Sequence, residues 1–169
     1  MADDRRDDGG TDRYRDAPGC RGPGPGESDA TYVRMAHQGN LAEIAAGQDA
    51  QTNGKDVCVK DVGAALVRDH TKLDADLSAL AKQGGVTPPN APTPEQQAAL
   101  TAVKAKAGSD AYDKAWLKAQ EDAHTKTLAL IDKQVSQGKD ASTTQAAEKA
   151  RPVVTMHLNM VRGGTCHAV

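Results

Sequence analysis

Three histidines and one glutamate stand in this chain where a buried helix face would ordinarily carry leucine or valine. His70 falls within Val59, Val62, Leu66, Leu73, Leu77 and Leu80, a series stepping by three or four residues, the period of one helix face. His124 interrupts Leu117, Leu128, Ile131 and Val135 in the same way. His157 does so among Ala146, Ala150, Val153 and Val161, and Glu43 among Ala36, Gly39, Ala46 and Ala50. A buried polar group left without a partner costs about 1–3 kcal/mol, so four of them on four helices ask for a common solution. Imidazole and carboxylate together hold zinc, copper, manganese or iron. The rival solution is mutual hydrogen bonding with buried water and no ion. Glu43, His70 and His124 lie near the middle of their helical stretches and His157 somewhat past it, so packed neighbours set them at similar depth whichever way they run.

The spacing limits the metal chemistry to one ion. Glu121, three residues before His124, forms one Glu-x-x-His pair and is expected behind the ligands or as an extra one. A ferritin-type di-iron centre needs a second such pair and two further carboxylates, and Val67 and Val154 stand where the second glutamate would have to be. His37 lies off the Glu43 face and His167 near the C-terminus, so both are expected at the surface. Asp113 lies about 16 Å along the helix axis from His124; it is expected to cap or pair near the start of its helix. No Ser-His-Asp order, Gly-rich phosphate loop or Cys-x-x-Cys spacing is present. Hydrolase and nucleotide-binding chemistry therefore has no foothold, and no catalytic residue is assigned.

The elements that must position these groups follow from composition and punctuation. The 169 residues include no Phe, one Trp and three Tyr, so alanine, leucine and valine must close the core. Few β-branched or aromatic runs exist from which to build strands, and the class is all-α. The 21 basic against 23 acidic residues form no basic stripe, which argues against nucleic acid as a partner. Residues 1–28, rich in Gly, Pro and mixed charge, read as a disordered tail holding Cys20. Arg5-Arg6 is followed by no apolar run, so no export leader is expected in it, and no stretch is long enough to span a membrane.

Helix one is expected from Ser28 or Asp29 to about Ala50, and helix two from about Asp56 to Gln83, stopped by Gly84-Gly85. Thr93-Pro94-Glu95-Gln96 is a capping box that opens a short helix to about Lys106. Helix three is expected to start at Ser109 and end at Gly138. Helix four starts at Asp140 or Ser142 and ends before Gly163-Gly164, with Pro152 expected to divide it into two pieces at a bend. The bundle domain thus covers residues 29–163, and 164–169 form a C-terminal tail.

Residues 84–108 are longer than a hairpin between neighbouring helices needs. Their short helix and extended flanks reach on the order of 50 Å, against about 40 Å for a 28-residue helix. A link that can cross the whole bundle favours a ferritin-like four-helix topology, with this crossover between helices two and three. Helices two and four are then antiparallel. The start of one lies beside the end of the other, which predicts a disulfide between Cys58 and Cys166.

An ordered set of residues carries a further likeness. Gln38-Gly39-Asn40-Leu41-Ala42-Glu43, Leu66-Val67-Arg68-Asp69-His70, Leu80-Ala81 with Gly85-Val86, Tyr112-Asp113, His124, and Pro152 followed by His157-Leu158 together resemble the bacterial family filed as domain of unknown function 4142. The resemblance implies a ferritin-like bundle, usually exported to the periplasm or cell exterior, with no established activity. The family often places an acid directly before the third-helix histidine; here Ala123 stands there, with Glu121 and Asp122 nearby. Three function classes stay open: a cell-envelope bundle binding one transition-metal ion, a metal-dependent redox enzyme, and a structural or interaction module with a metal-free polar core. A protein or a metal ion is the partner to be expected.

Overall fold

The computed structural model describes residues 25–167; the N-terminal tail and Cys20, apart from the last residues before the first helix, lie outside them. The regular elements among the described residues are all helices, with no strand. The order is α1 (Glu27–Asn53), α2 (Val57–Gly84), α3 (Pro94–Lys104), α4 (Tyr112–Gln137) and α5 (Ala141–Val161), closed by a 3-10 turn at Arg162–Gly164. None of these helices is long and apolar enough to cross a membrane.

The helix ends are set by local chemistry. Asp56 caps α2 by accepting from the Cys58 amide, and α2 stops at Gly85, whose φ of 68° suits a residue without a Cβ. Thr93 and Gln96 form the complete capping box of α3, and Asp140 caps α5 through the Thr143 amide.

Three boundaries depart from expectation. The first helix begins just before Ser28, behind Gly26, and continues past Ala50. Ser109 does not start α4, because its hydroxyl accepts from the Ala111 amide within a run of tight turns after α3, and the helix begins only at Tyr112. Nor does Pro152 divide the last helix: α5 continues through it, since the carbonyl left unbonded lies on an exposed stretch of the helix.

Contacts at the two ends fix the helix directions. At one end Asp29, in the first turn of α1, accepts from Gln134 Nε2 at 2.7 Å and from the Lys139 and Asp140 amides of the α4–α5 loop. At the other end Tyr112 Oη donates to Asp49 at 2.6 Å, and Trp116 Nε1 donates to the Ala46 carbonyl at 2.9 Å. Helix α1 is therefore antiparallel to α4. The Cys58 and Cys166 sulfurs lie at bonding distance, with Cα atoms 6.1 Å apart, so the start of α2 meets the end of α5. With short loops joining α1 to α2 and α4 to α5, α1 and α5 point one way and α2 and α4 the other. The link carrying α3 must return the chain from the far end of α2 to the near end of α4. Asp113 braces that near end: its carboxylate accepts the Lys55 and Asp56 amides of the α1–α2 loop.

The apolar core has two parts. One, at the Cys58–Cys166 end, gathers Val59, Val62, Leu66, Tyr112, Trp116, Leu117 and Val161. The other, at the Asp29 end, gathers Tyr32, Val33, Leu77, Ala81, Ile131, Ala147 and Val154. Between them in the order of every long helix comes a layer of polar residues.

A candidate metal centre

That layer is made of Asn40 and Glu43 from α1, His70 from α2, Gln120 and His124 from α4, and His157 from α5, all buried. The three imidazoles are 2 %, 1 % and 0 % exposed. Their ring centroids are 5.7 Å (His70–His124), 5.1 Å (His70–His157) and 5.5 Å (His124–His157) apart. One ligand atom from each lies within 4.8 Å of the other two.

Each ring turns one nitrogen outward to an oxygen that can only accept. His70 Nδ1 donates to Asn40 Oδ1 at 2.9 Å, His124 Nδ1 to the Gln120 carbonyl at 2.8 Å, and His157 Nε2 to Asp69 Oδ2 at 2.9 Å. Asp69 is held in turn by two bonds from Arg68, and Asn40 donates to Asp74 at 3.5 Å. These acceptors select the tautomer. The second nitrogen of every ring then carries a lone pair, and it points inward.

Among the described residues five buried side-chain atoms have no protein partner: His70 Nε2, His124 Nε2, His157 Nδ1, Glu43 Oε2 and Gln120 Oε1. All belong to this one layer. Three acceptor nitrogens facing one another repel unless a cation, a shared proton or a donor is set between them. A point equidistant from three atoms 4.8 Å apart is about 2.8 Å from each, so an inward shift of about 0.7 Å per ligand reaches ordinary metal–imidazole distances.

The titration of the layer matches that chemistry. Burial drives His70 well below the ordinary imidazole value, helped by the neighbouring His124 and His157 and resisted by Asp69. Burial also lowers His157, against the pull of Asp69. Burial raises Glu43, with His124 opposing. His70 and His157 are thus held neutral near pH 7, the form that binds metal. Asp69 stays ionised: burial pushes its carboxyl up, but bonds from Arg68 and His157 outweigh that and lower it.

Other residues named from the pattern lie elsewhere. Glu121 is turned away from the layer, its carboxylate accepting from the Gly163 amide at 3.0 Å, because the turn after α5 lies against this face of α4. His37 is not a free surface residue; its ring is half-buried against Asp74, with Nδ1 2.7 Å from the carboxylate. His167 is exposed. Spacing did not single out Asn40, Asp69 or Gln120 for any role. The signal for Asp69 was its place directly before His70, and for Asn40 its place one helical turn before Glu43.

The family described as Domain of unknown function (DUF4142) matches residues 17–163. Among solved structures, the fold is similar to a DUF305 fragment from Deinococcus radiodurans, with a TM-score of 0.73 over 83% of this chain and 97% of that one. At 11% identity that likeness speaks for the fold alone. Comparison with curated proteins finds no match.

Proposed function

The chain belongs to the family described as Domain of unknown function (DUF4142), and on the geometry of its core we propose that it binds one divalent transition-metal ion between its helices. The observation that carries this reading is the set of three inward imidazole nitrogens whose opposite N–H groups are all committed outward. Outward acceptors that fix ring and tautomer are what metal-bound histidines require. His70, His124 and His157 supply three nitrogens; Glu43, buried in the same layer with Oε2 unpartnered but outside that 4.8 Å set, supplies the carboxylate once the ion displaces the proton that burial favours. Three imidazoles with one carboxylate suit zinc or copper ahead of manganese and iron, which take more oxygen.

The centre is closed rather than catalytic. Its ligands are all but inaccessible to solvent, between two apolar clusters, whereas metal enzymes keep an open position that substrate can reach. Holding or sensing an ion fits better than redox turnover. We read the helix directions and the crossover through α3 as a ferritin-like bundle reduced to a single-metal core. The Cys58–Cys166 pair favours an oxidising compartment, the periplasm or cell exterior.

Metal analysis of protein purified without added metal, followed by Zn(II) and Co(II) titration of the stripped protein, tests this. One equivalent bound, with the visible spectrum of four-coordinate Co(II), is expected. Asp69→Ala weakens binding by about 10- to 100-fold through loss of the His157 acceptor. A stripped protein that binds neither ion, and that His70→Leu makes more stable, overturns the proposal in favour of a hydrogen-bonded core.

A further inference from the structure

A second pair of soft donors lies where the buried face of α5 meets its exposed face: Met160 belongs to the apolar cluster around Trp116, and Met156 is exposed. Met156 and Met160 are four residues apart and so share a helix face. They line a concavity of about 680 Å³ together with His167. Met156 is 37 % exposed, one of three large apolar side chains so placed among the described residues, while Met160, 6 % exposed, borders the concavity from the packed core.

The position of His167 is built rather than left to a fraying end. After α5 the chain reverses through Gly163 and Gly164, at φ of 70° and 67°, where a side chain would be strained. The His167 amide then donates to the Met160 carbonyl at 2.7 Å. Its neighbour Cys166 is tied to Cys58. Two constraints within two residues thus hold His167 at the edge of the concavity that both methionines line.

We propose that Met156, Met160 and His167 form a surface site for a soft monovalent cation of the Cu(I) class. Thioether sulfur is neutral and polarisable and selects Cu(I) over zinc, magnesium or calcium, while imidazole supplies a donor common to many transition metals. A methionine side chain has three rotatable bonds, so exposed Met156 turns its sulfur toward an ion at low cost, while Met160 adjusts from a packed position. On the rim Arg151 is paired with Asp132 at 2.7 Å, and Glu148 adds a carboxylate whose charge favours a cation. The site stands independently of the buried imidazoles, whose nitrogen and carboxylate donors prefer divalent ions. It therefore survives failure of that reading.

The test uses Ag(I), a redox-inert stand-in for Cu(I), added to the full oxidised chain labelled at the methionine methyl groups. One equivalent shifts the Met156 and Met160 methyl resonances and the His167 ring together, and leaves Met35, exposed on α1, unmoved. Met156→Leu, at an exposed position where folding is not at stake, weakens Ag(I) binding by about tenfold or more, a change of about 1.4 kcal/mol. His167→Ala does the same, whereas His70→Asn does not. Equal response of Met35, Ag(I) taken up only by the buried rings, or unchanged affinity in Met156→Leu would each overturn the assignment.

Discussion

Alanine in place of glycine on α1 should have opposite effects at two positions eight residues apart. At Gly39 nothing lies within 4 Å of where a Cβ would stand. At Gly47 an added Cβ would lie 2.5 Å from the Gly63 carbonyl oxygen of α2, 2.9 Å from Val67 Cγ2 and 3.3 Å from Leu66 Cβ. Gly63 returns the contact, its own Cβ position being 2.8 Å from the Gly47 carbonyl and from Ala50 Cβ. The helices touch here backbone to backbone, and backbone cannot rotate away. Gly→Ala inside a helix gains about 0.8–1 kcal/mol from propensity. Forcing atoms into a closed contact costs about 1–3 kcal/mol, here toward the upper end because the obstacle is a carbonyl. Gly39→Ala therefore stabilises by about 1 kcal/mol and Gly47→Ala destabilises by about 2. With roughly 0.3 kcal/mol/K of unfolding entropy for a folded part of this size, Tm rises by about 3 °C in the first and falls by about 7 °C in the second. Thermal unfolding followed by far-UV circular dichroism measures both. If Gly47→Ala melts as high as Gly39→Ala, the close α1–α2 approach is not a feature of the protein, and the seating of Asn40 beside His70 loses its basis.

Three further outcomes follow from the same contacts. Replacing Cys58 and Cys166 by serine opens a loop spanning 108 residues, which in the chain-entropy model costs about 4.8 kcal/mol. Urea midpoints of the variant and of the reduced wild type should fall alike, and unchanged midpoints would show that the sulfurs are not bonded. Asp29, buried at the α1 end, tends upward by burial but is held below the ordinary carboxylate value by Gln134 and the Lys139 and Asp140 amides. Asp29→Ala strands those donors and should lower stability by about 2–4 kcal/mol at pH 7, with a smaller loss near pH 3, where the carboxylate of the unfolded chain is already largely protonated; an equal loss at both pH values would count against the ionised form. For the metal-free protein, folded His70 and His157 titrate below the ordinary 6.5. The unfolded chain then binds more protons below that pH, and stability falls as pH drops from about 6.5, by up to about 1.4 kcal/mol per pH unit for each ring. Glu43, raised by burial, works in the opposite sense, since its folded form keeps a proton that the unfolded chain has released. With two rings against one carboxyl the net slope stays positive, and His70→Leu should flatten it; a stability independent of pH between 7 and 5 in wild type would remove the neutral buried imidazoles from consideration.

How much of this was legible beforehand differs from element to element. The all-helical class, the Thr93 capping box, the Asp56 and Asp140 starts and the buried histidines follow from period and punctuation, because a helix face and its caps are set by residues within one or two turns. The start of α4 falls at Tyr112 rather than Ser109, since a serine that can cap a helix can equally close a turn, and only the chain's path after α3 decides which. On α5 the buried residues are Thr143, Ala147, Val154, His157, Leu158, Met160 and Val161, with Ala146, Ala150 and Val153 only half-buried; which side of an alanine-rich helix turns inward depends on its neighbours, because alanine offers little preference of its own. Glu121 shares a helix face with His124 by spacing, yet its flexible carboxylate found the Gly163 amide, a partner 42 residues away. The outward acceptors show the limit most clearly. Asn40 lies 30 residues from His70, and Asp69 88 residues from His157. Periodicity states that an imidazole points into the core, but which of its nitrogens does so is set by an oxygen on another helix, and the register between helices that brings that oxygen within reach exists only once they have packed.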